Sequence, residues 1–316
     1  MSTQTCETPH PSEQTLSQFL QLTRRYAVFH LVFILLFFGE LLALLLFMPF
    51  LAKSFLLAGL VATTVLTVFT YFVLRFYFQT KKPEQLLILR DQFFQKHTTI
   101  EAVYQFIQKL DGQEYQYYQI PRHLEALAPL VRKLSVWCHF ADVQLMRELV
   151  HTYGIRVQLD AIKTAPTDLE LHRALAHAYM ALYKIYQDPS RRGESVYSFI
   201  ASEYASDEMK QKFLKTARCA VEELKIVLYY NPQDLRALLA LGTVYHDLDE
   251  KENELKAYET VLQLSPHEKE NQFRLGALYF ELGFIAQGLR IYEDLQKTGA
   301  PQASALIKAY DQFHLN

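Results

Sequence analysis

Two stretches of the sequence share one pattern: LRALLALGTVYHDLDEKENELKAYETVLQLSP at residues 235–266 and KENQFRLGALYFELGFIAQGLRIYEDLQKTGA at residues 269–300. Matching residues recur at a single interval of 34 positions: Leu241 and Leu275, Gly242 and Gly276, Tyr245 and Tyr279, Tyr258 and Tyr292, and Pro232 and Pro266. The two prolines each close a helix-like run, LKIVLYYNP and ETVLQLSP. A fixed period of this length is typical of stacked repeats. The sequence therefore predicts an all-α array of two repeats over residues 235–300.

The order of these residues resembles the tetratricopeptide repeat (TPR) family. Each repeat of that family is a pair of helices with small and aromatic residues at fixed positions and a closing proline. Gly288 fills a further small-residue position in the second copy, whereas Glu254 replaces a small residue in the first copy and Ala300 replaces the second proline. The resemblance implies a TPR-like α-solenoid in which the repeated residues are structural: Gly242, Tyr245, Tyr258, Pro266, Gly276, Tyr279, Gly283 and Tyr292.

A more degenerate copy precedes these two, at residues 166–232. The leucine, small and aromatic positions of its first helix are held by Leu175, Ala176 and Tyr179. An insertion beginning DPSRRGES at Asp188 separates this helix from its partner. Residues 302–316 are expected to form a capping helix, because a terminal repeat otherwise exposes its apolar face.

The chain is almost continuously apolar from Tyr26 to Phe78. One crossing of a bilayer takes only about 20 helical residues. A proline and a lysine favour a break at residues 48–54, so we predict two transmembrane helices, at residues 26–47 and 55–78. A cleaved signal peptide fits poorly, because its apolar region is only about 7–15 residues long. A soluble helix normally shows a polar face, yet Glu40 is the only charged residue in the middle of the first helix.

The orientation of this hairpin follows from cations, which tend to stay on the cytoplasmic side. The flanking cations are Arg24 and Arg25 before the first span and Arg75, Lys81 and Lys82 at the end of the second, against Lys53 alone in the turn. Both termini are therefore expected in the cytoplasm, and we predict an integral protein of a bacterial inner membrane.

Two further regions carry weaker patterns. Residues 1–25 are rich in Ser, Thr, Gln and Pro until Leu16, which predicts a mobile tail with a short amphipathic lead into the first span. Residues 83–165 show helical spacing of apolar residues but no recognisable repeat.

Composition excludes several classes of function. The chain has 32 basic and 34 acidic residues, so a basic stripe for nucleic acid is not indicated. The hydrophobic fraction is 50%, and the hairpin supplies the excess over ordinary globular proteins. Cys6, Cys138 and Cys219 stand far apart, which disfavours a disulfide or zinc framework and fits a reduced compartment.

The TPR resemblance also implies a binding groove lined by the first helix of each pair. A partner peptide or helix would lie on this surface, and nothing in it is intrinsically catalytic. Aromatic residues are frequent in cores, so Phe273 and Phe280 could instead pack against a neighbouring helix. The groove positions, carried over residue by residue, are Arg173, His177, Met180, Arg236, Leu239, Thr243, His246, Asp247, Glu270, Phe273, Ala277, Phe280 and Glu281.

Motifs for catalysis or cofactors are not found in the sequence. His172 and His177 lie five positions apart, which does not stack them on one helical face, so no metal site is predicted. Gly-rich phosphate loops and a nucleophile elbow are absent from the sequence. We therefore predict no cofactor and no enzymatic activity.

Glu40 is the one residue whose predicted position is energetically awkward. A carboxyl group near mid-bilayer costs a few kcal/mol and raises a functional hypothesis by default. It could serve as a proton site, contact Thr63, Thr64 or Thr67 on the second span, or join hairpins into a homo-oligomer. The simpler interpretation is a protonated, hydrogen-bonded side chain. His30 and Arg75 lie near the span ends and require no special role.

These features together predict a membrane-anchored TPR scaffold or adaptor that binds protein partners at the cytoplasmic face. An alternative is an exported bacterial protein of the inclusion-membrane type. Such proteins also have a hydrophobic hairpin that follows a short polar tail, and the helical domain would then bind host proteins. Another alternative is an enzyme with an unrecognised site in residues 83–165. A pocket there with strongly perturbed acidic or histidine groups would favour that alternative.

Overall fold

A computed structural model describes residues 11–51, 55–96, 100–116, 118, 122–188 and 206–314. All regular elements in these residues are helical, which confirms the all-α fold class. The chain forms two compact units, Met1–Tyr153 and Gly154–Asn316, called unit 1 and unit 2 below.

Unit 1 begins with two long helices. Its elements are α1 (Pro11–Leu51), α2 (Phe55–Lys96), α3 (Ile100–Leu110), α4 (Gln113–Gln116), a 3₁₀ helix (Arg122–Leu127) and the first part of α5 (Ala128–Thr164). Unit 2 follows with α6 (Leu169–Tyr186), α7 (Asp207–Tyr230), α8 (Leu235–Asp247), α9 (Lys251–Leu264), α10 (Lys269–Glu281), α11 (Ile285–Lys297) and α12 (Gln302–His314).

The helices α1 and α2 pack as an antiparallel hairpin. His30 lies beside Tyr71 and Glu40 beside Thr67, so increasing numbers on α1 meet decreasing numbers on α2. By length and composition both helices could cross a membrane, and the most apolar window of each has none of its residues buried within the protein. α1 extends to Leu51, into the predicted break, and the rest of that break, residues 52–54, lies outside the described residues.

Glu40 makes one of the interhelix contacts considered from the sequence. Thr67 Oγ1 donates a hydrogen bond of 2.8 Å to Glu40 Oε1. Thr63 and Thr64 instead donate to the carbonyl oxygen of Leu60 within their own helix. Threonine commonly bonds to a carbonyl one turn back in this way, so only Thr67 is available to the carboxyl group.

The prediction of a mobile tail over residues 1–25 is corrected for residues 11–25, which form the start of α1; residues 1–10 lie outside the described residues. Phe19 and Thr23 have no exposed surface. The reason is tertiary packing, because Phe19 joins a buried cluster from α2, α3 and α5 that includes Leu86, Phe93, Phe106 and Met146. This cluster, called the basal core below, gives the start of α1 an apolar surface to cover.

The predicted second span, residues 55–78, is part of a longer helix. α2 continues without interruption through Pro83 to Lys96. Proline removes one hydrogen bond of the helix, and burial of Leu86, Leu89 and Phe93 in the basal core stabilises the continuation. The same region contains one long helix, α5, which continues through Gly154 to Thr164.

Unit 2 consists of successive helix pairs. The pairs α6 with α7, α8 with α9, and α10 with α11 pack as helical hairpins, and α12 packs against the last pair. Asp168, Ser206 and Asp234 cap the starts of α6, α7 and α8 with their side-chain oxygens, as N-cap residues commonly do. This is the TPR-like solenoid that the sequence predicts.

Candidate partner-binding surface

The predicted groove residues all lie on α6, α8 and α10, the first helices of the three pairs. They differ in exposure. His177, Arg236, His246 and Glu270 are exposed. Arg173, Leu239, Thr243, Asp247, Phe273 and Glu281 are half-buried. Met180, Ala277 and Phe280 are buried.

The prediction that Met180, Ala277 and Phe280 line the groove is wrong, because all three side chains are buried. Each belongs to a hydrophobic cluster of unit 2 rather than to an accessible surface. Phe280 is 2% exposed and packs against Gly288 of α11 and Tyr310 of α12. The alternative considered from the sequence, packing against a neighbouring helix, therefore holds for Phe280. Phe273 is half-buried and packs on the edge of the same cluster.

Two predicted groove residues join neighbouring first helices. The Arg173 guanidinium on α6 donates to Asp234, whose other oxygen caps α8 by accepting from the Ala237 amide at 3.0 Å. At the opposite end of these helices Tyr183 Oη donates to Asp247 at 2.8 Å. Burial alone would raise the pKa of Asp234, but the bonds from Ala237 and Arg173 outweigh it and lower that pKa. The hydrogen bonds of Arg173 and Asp247 thus hold α6 and α8 together at both ends.

The residue that departs from the repeat pattern, Glu254, is the centre of a buried ion pair. Its side chain is 1% exposed, and its Oε1 accepts two bonds from Arg274, at 2.8 Å from Nε and 2.5 Å from Nη2. His246 is hydrogen-bonded to Arg274 and lies 3.4 Å from Glu254 Oε2. The three residues come from α9, α10 and α8, so this cluster links two consecutive repeats. Arg274 is not predicted from the sequence, although a carboxyl group at a small-residue position indicates that a cation is nearby.

Removing either partner of the ion pair between Glu254 and Arg274 should lower the free energy of unfolding by a different amount. Arg274→Met leaves a carboxylate buried without its cation and should lower the free energy of unfolding of unit 2 by about 2 kcal/mol, less than for a fully buried pair because Arg274 is 28% exposed. Glu254→Ala should cost less than about 1 kcal/mol, because Arg274 can turn to water. Thermal unfolding of both variants in the full chain measures the difference, and an equal or reversed order would contradict the assignment.

The repeat-structural residues fall into two groups. Gly242 and Gly276 allow close approach, since a Cβ atom on them would lie 2.8 Å from Tyr258 and 2.7 Å from Leu306. Gly283 instead has a φ of 79° in the turn after α10, where an added Cβ meets no atom. Its equivalent in the preceding repeat, Asp249, has a φ of 59°. The small residue at this position is therefore needed for backbone conformation and not for helix packing.

The tyrosines and the proline of the pattern also have defined contacts. Tyr245 is buried, Tyr258 packs beside Gly242, and Tyr292 packs on the cluster around Phe280. Tyr279 Oη donates to Glu259 at 2.9 Å, and burial together with this bond raises the pKa of Tyr279 to about 12. The carbonyl oxygen of Pro266 accepts from Gln272 at 2.8 Å.

The degenerate pair α6 and α7 has an equivalent of the hydrogen bond between Gln272 and the Pro266 carbonyl oxygen. His172 Nε2 is hydrogen-bonded to the carbonyl oxygen of Pro166 at 3.0 Å, with the same six-residue separation as Gln272 and Pro266. His172 Nδ1 lies 2.6 Å from Glu223 of α7. Burial acts to lower the pKa of His172, but the bonds to Glu223 and Pro166 outweigh it and raise that pKa. His172 is thus a structural residue of the helix pair, while His177 is exposed on another face.

Perturbed groups do occur in residues 83–165, the region of the enzyme alternative. Burial, helped by nearby cations, lowers the pKa of His139 and of His151 to about 4. Burial raises the pKa of Cys138, which disfavours the reactive thiolate. Asp142 is 4% exposed and forms an ion pair with Lys82. Burial that keeps a histidine neutral beside cations is compatible with a place in the core of unit 1.

In the part of the chain that the structure describes, no group of three or more His, Cys, Asp or Glu side chains is arranged to hold a metal ion. The described helices and surface residues define an all-α protein with an apolar helical hairpin and a TPR-like array of helix pairs.

Comparisons with known proteins add a distant likeness only. No family model matches the sequence, and no curated protein matches it. Among solved structures, MamA MSR-1 C2 is similar at 15% identity with a TM-score of 0.33, over 59% of this chain and 90% of that chain. A crystal structure of MamA is similar at 15% identity with a TM-score of 0.26, over 52% of this chain and 92% of that chain.

Proposed function

We propose that this protein is a membrane-anchored adaptor, whose hairpin holds it in a bilayer and whose helix pairs bind a protein partner at the cytoplasmic face. The observation that carries the binding half is a pair of exposed, oppositely charged residues at equivalent repeat positions, Arg236 on α8 and Glu270 on α10. Anchoring would raise the effective concentration of adaptor and partner at the membrane.

The exposed apolar surface of α1 and α2 supports the membrane anchor. Leu35, Phe38, Phe69 and Phe76 are each at least 60% exposed, among many others along both helices. A soluble protein rarely leaves a continuous apolar surface of this extent in water. In a bilayer the same side chains contact lipid tails, and the helices satisfy their own backbone hydrogen bonds. The cations at both outer ends favour cytoplasmic termini and an inner-membrane location.

The groove residues that remain accessible support a polar partner surface. Arg236 and Glu270 form no ion pair within the described residues. Leu239 and Thr243 follow Arg236 on α8, Phe273 follows Glu270 on α10, and all three are half-buried. Apolar groups flanked by separated charges of both signs suit an amphipathic peptide or helix with complementary charges. The interaction is one of binding rather than catalysis.

Charge reversal at the two groove positions should abolish partner capture without unfolding the array. We expect Arg236→Glu combined with Glu270→Lys to reduce cross-linking of a partner to a photo-reactive residue at Thr243 by at least about tenfold, since two charged pairs across an interface are replaced by like-charge repulsion. The full chain would be cross-linked in native membranes, with mass spectrometry of the product as the measurement.

The matched control is Lys256→Glu combined with Glu293→Lys. Both residues are exposed on the second helices α9 and α11, and the double change leaves the net charge unaltered in the same way. This control should cross-link like the unmodified chain. Equal losses in both double variants, or a partner that cross-links as well from Lys256 as from Thr243, would refute the binding surface.

A further inference from the structure

Two cavities adjoin on the hairpin of unit 1, in the half of the two predicted spans that lies away from the turn between α1 and α2. The first has a volume of about 370 Å³ and is lined by residues that include His30, Arg75, Lys82, Trp137 and Asp142. The second has a volume of about 280 Å³ and is lined by side chains that include Phe33, Phe37, Phe38 and Val68. Ile34 and Tyr71 line both cavities, so the two lie side by side.

The first cavity carries a net positive charge. Its lining has two cations, Arg75 and Lys82, against one carboxyl group, Asp142. Lys82 forms an ion pair with Asp142 and lies 5.4 Å from the centre of the Tyr26 ring. Arg75 is exposed and has no ion pair within the described residues. One positive charge therefore remains available to an anion, although the sequence assigned Arg75 no special role.

The second cavity is almost entirely apolar. Its lining consists of aromatic and branched side chains, with Thr67 already donating to Glu40. From Tyr26 to Phe38 the helix α1 rises about 18 Å, at about 1.5 Å per residue. This exceeds half of a hydrocarbon core about 30 Å thick. The two adjoining cavities thus place a charged site next to an apolar groove, an arrangement that suits an amphiphile with its headgroup in the first and an acyl chain in the second.

The exposed face of α5 gives an independent reason to place the charged end at the membrane surface. Trp137, which lines the first cavity, is 62% exposed, and Leu130 and Leu134 precede it at helical spacing with similar exposure. Arg132 and Lys133 are exposed within the same turns. Tryptophan and an apolar stripe flanked by cations are typical of helices that lie in the interface between water and lipid.

We propose that these two adjoining cavities bind one anionic phospholipid, with its phosphate at Arg75 and an acyl chain along Phe33, Phe37 and Val68. The proposal rests on the membrane anchor proposed above. A basic pocket beside transmembrane helices on the cytoplasmic side is a known arrangement for anionic headgroups. The apolar groove favours a lipid over free phosphate, because free phosphate has no acyl chain to bury in it.

The single tryptophan of the chain makes the test direct, because all indole fluorescence comes from Trp137. The full chain would be reconstituted in phosphatidylcholine nanodiscs, with phosphatidylglycerol or phosphatidylcholine brominated on the upper acyl chain added as quencher. We expect half-maximal quenching at about fivefold less brominated phosphatidylglycerol than brominated phosphatidylcholine, the factor that one cation near a membrane surface contributes. Arg75→Gln should remove the difference.

Lys81→Gln is the matched control, because Lys81 lies on the same helix with its side chain 45% exposed, pairs with Glu84 and does not line the cavity. It should keep the fivefold preference. Equal quenching by the two lipids, an unchanged preference in Arg75→Gln, or relief of quenching by inorganic phosphate alone would overturn the lipid site. Release of the protein from native membranes by alkaline carbonate would overturn the anchor, and the lipid site with it. Retention with equal quenching overturns the lipid site alone.

Discussion

Lowering the pH from 6.5 to 4 should destabilise unit 1 by about 3 kcal/mol for each of His139 and His151, through protonation of the unfolded chain. A histidine in the unfolded chain has a pKa of about 6.5, whereas the pKa of each of these two in the folded protein is about 4. Above pH 6.5 both states are neutral and the stabilisation is complete. Between pH 6.5 and 4 only the unfolded chain binds the protons, so stability falls with pH. Below pH 4 both states are protonated and no further loss arises.

The surroundings of the two side chains explain the low pKa. His139 has no exposed surface, is hydrogen-bonded to Tyr118 at 3.0 Å, and has Lys82 and Arg24 as nearby cations. His151 is 5% exposed and has Arg147 nearby. Burial is the largest cause in both cases, and a second positive charge beside these cations adds to the cost. Asp142 has the opposite effect on the pH dependence of stability. Burial raises the pKa of its carboxyl group, so the folded protein binds this proton more readily than the unfolded chain does as the pH falls.

Urea unfolding of the full chain in detergent micelles, followed by Trp137 fluorescence, measures the effect in unit 1. The probe must be local, because the pKa of His172 in unit 2 is raised and has the opposite effect on stability. Acid titrates carboxyl groups as well, so the informative quantity is the comparison with His139→Gln combined with His151→Gln. That variant should lose markedly less stability between pH 6.5 and 4. An identical pH dependence in both proteins would show that neither histidine is buried in the neutral form.

Phe280→Ala should lower the free energy of unfolding of unit 2 by about 3–5 kcal/mol, the cost of removing a buried aromatic side chain and leaving a cavity. Phe280 is 2% exposed, and its ring centre lies 4.9 Å from that of Tyr310. A Cβ atom added to Gly288 would clash with the same ring. The ring therefore occupies the space that the glycine leaves.

Hydrogen exchange of peptides from α10, α11 and α12 in the full chain measures this loss. Gly288→Ala should also destabilise, by about 1–3 kcal/mol for overpacking. Gly288→Ala combined with Phe280→Leu should recover part of that loss, because the smaller side chain makes room for the methyl group. Phe273→Ala, at a half-buried position of the same helix, is the control and should cost less. Unchanged exchange in Phe280→Ala together with loss of partner capture would return Phe280 to the binding surface.

Much of the architecture could be predicted from the sequence because its signals are local. The 34-residue interval between equivalent residues such as Tyr245 and Tyr279 gives the helix-pair repeat, and it depends only on spacing along the chain. The long apolar runs around Glu40 likewise require no knowledge of a partner element. The candidate surface was less predictable. Position in a repeat selects the helix, but only packing decides which residues of that helix remain accessible.

What the sequence by itself determined is therefore the helical class, the repeat period and two apolar helices long enough to span a bilayer. Only the tertiary structure decided that Phe280 is core, that Glu254 is paired with Arg274, and that the start of α1 is ordered by Phe19 in the basal core. The physical reason is that a periodic pattern arises from residues within one or two turns of each other. Burial and ion pairing instead depend on atoms brought together from distant positions of the chain.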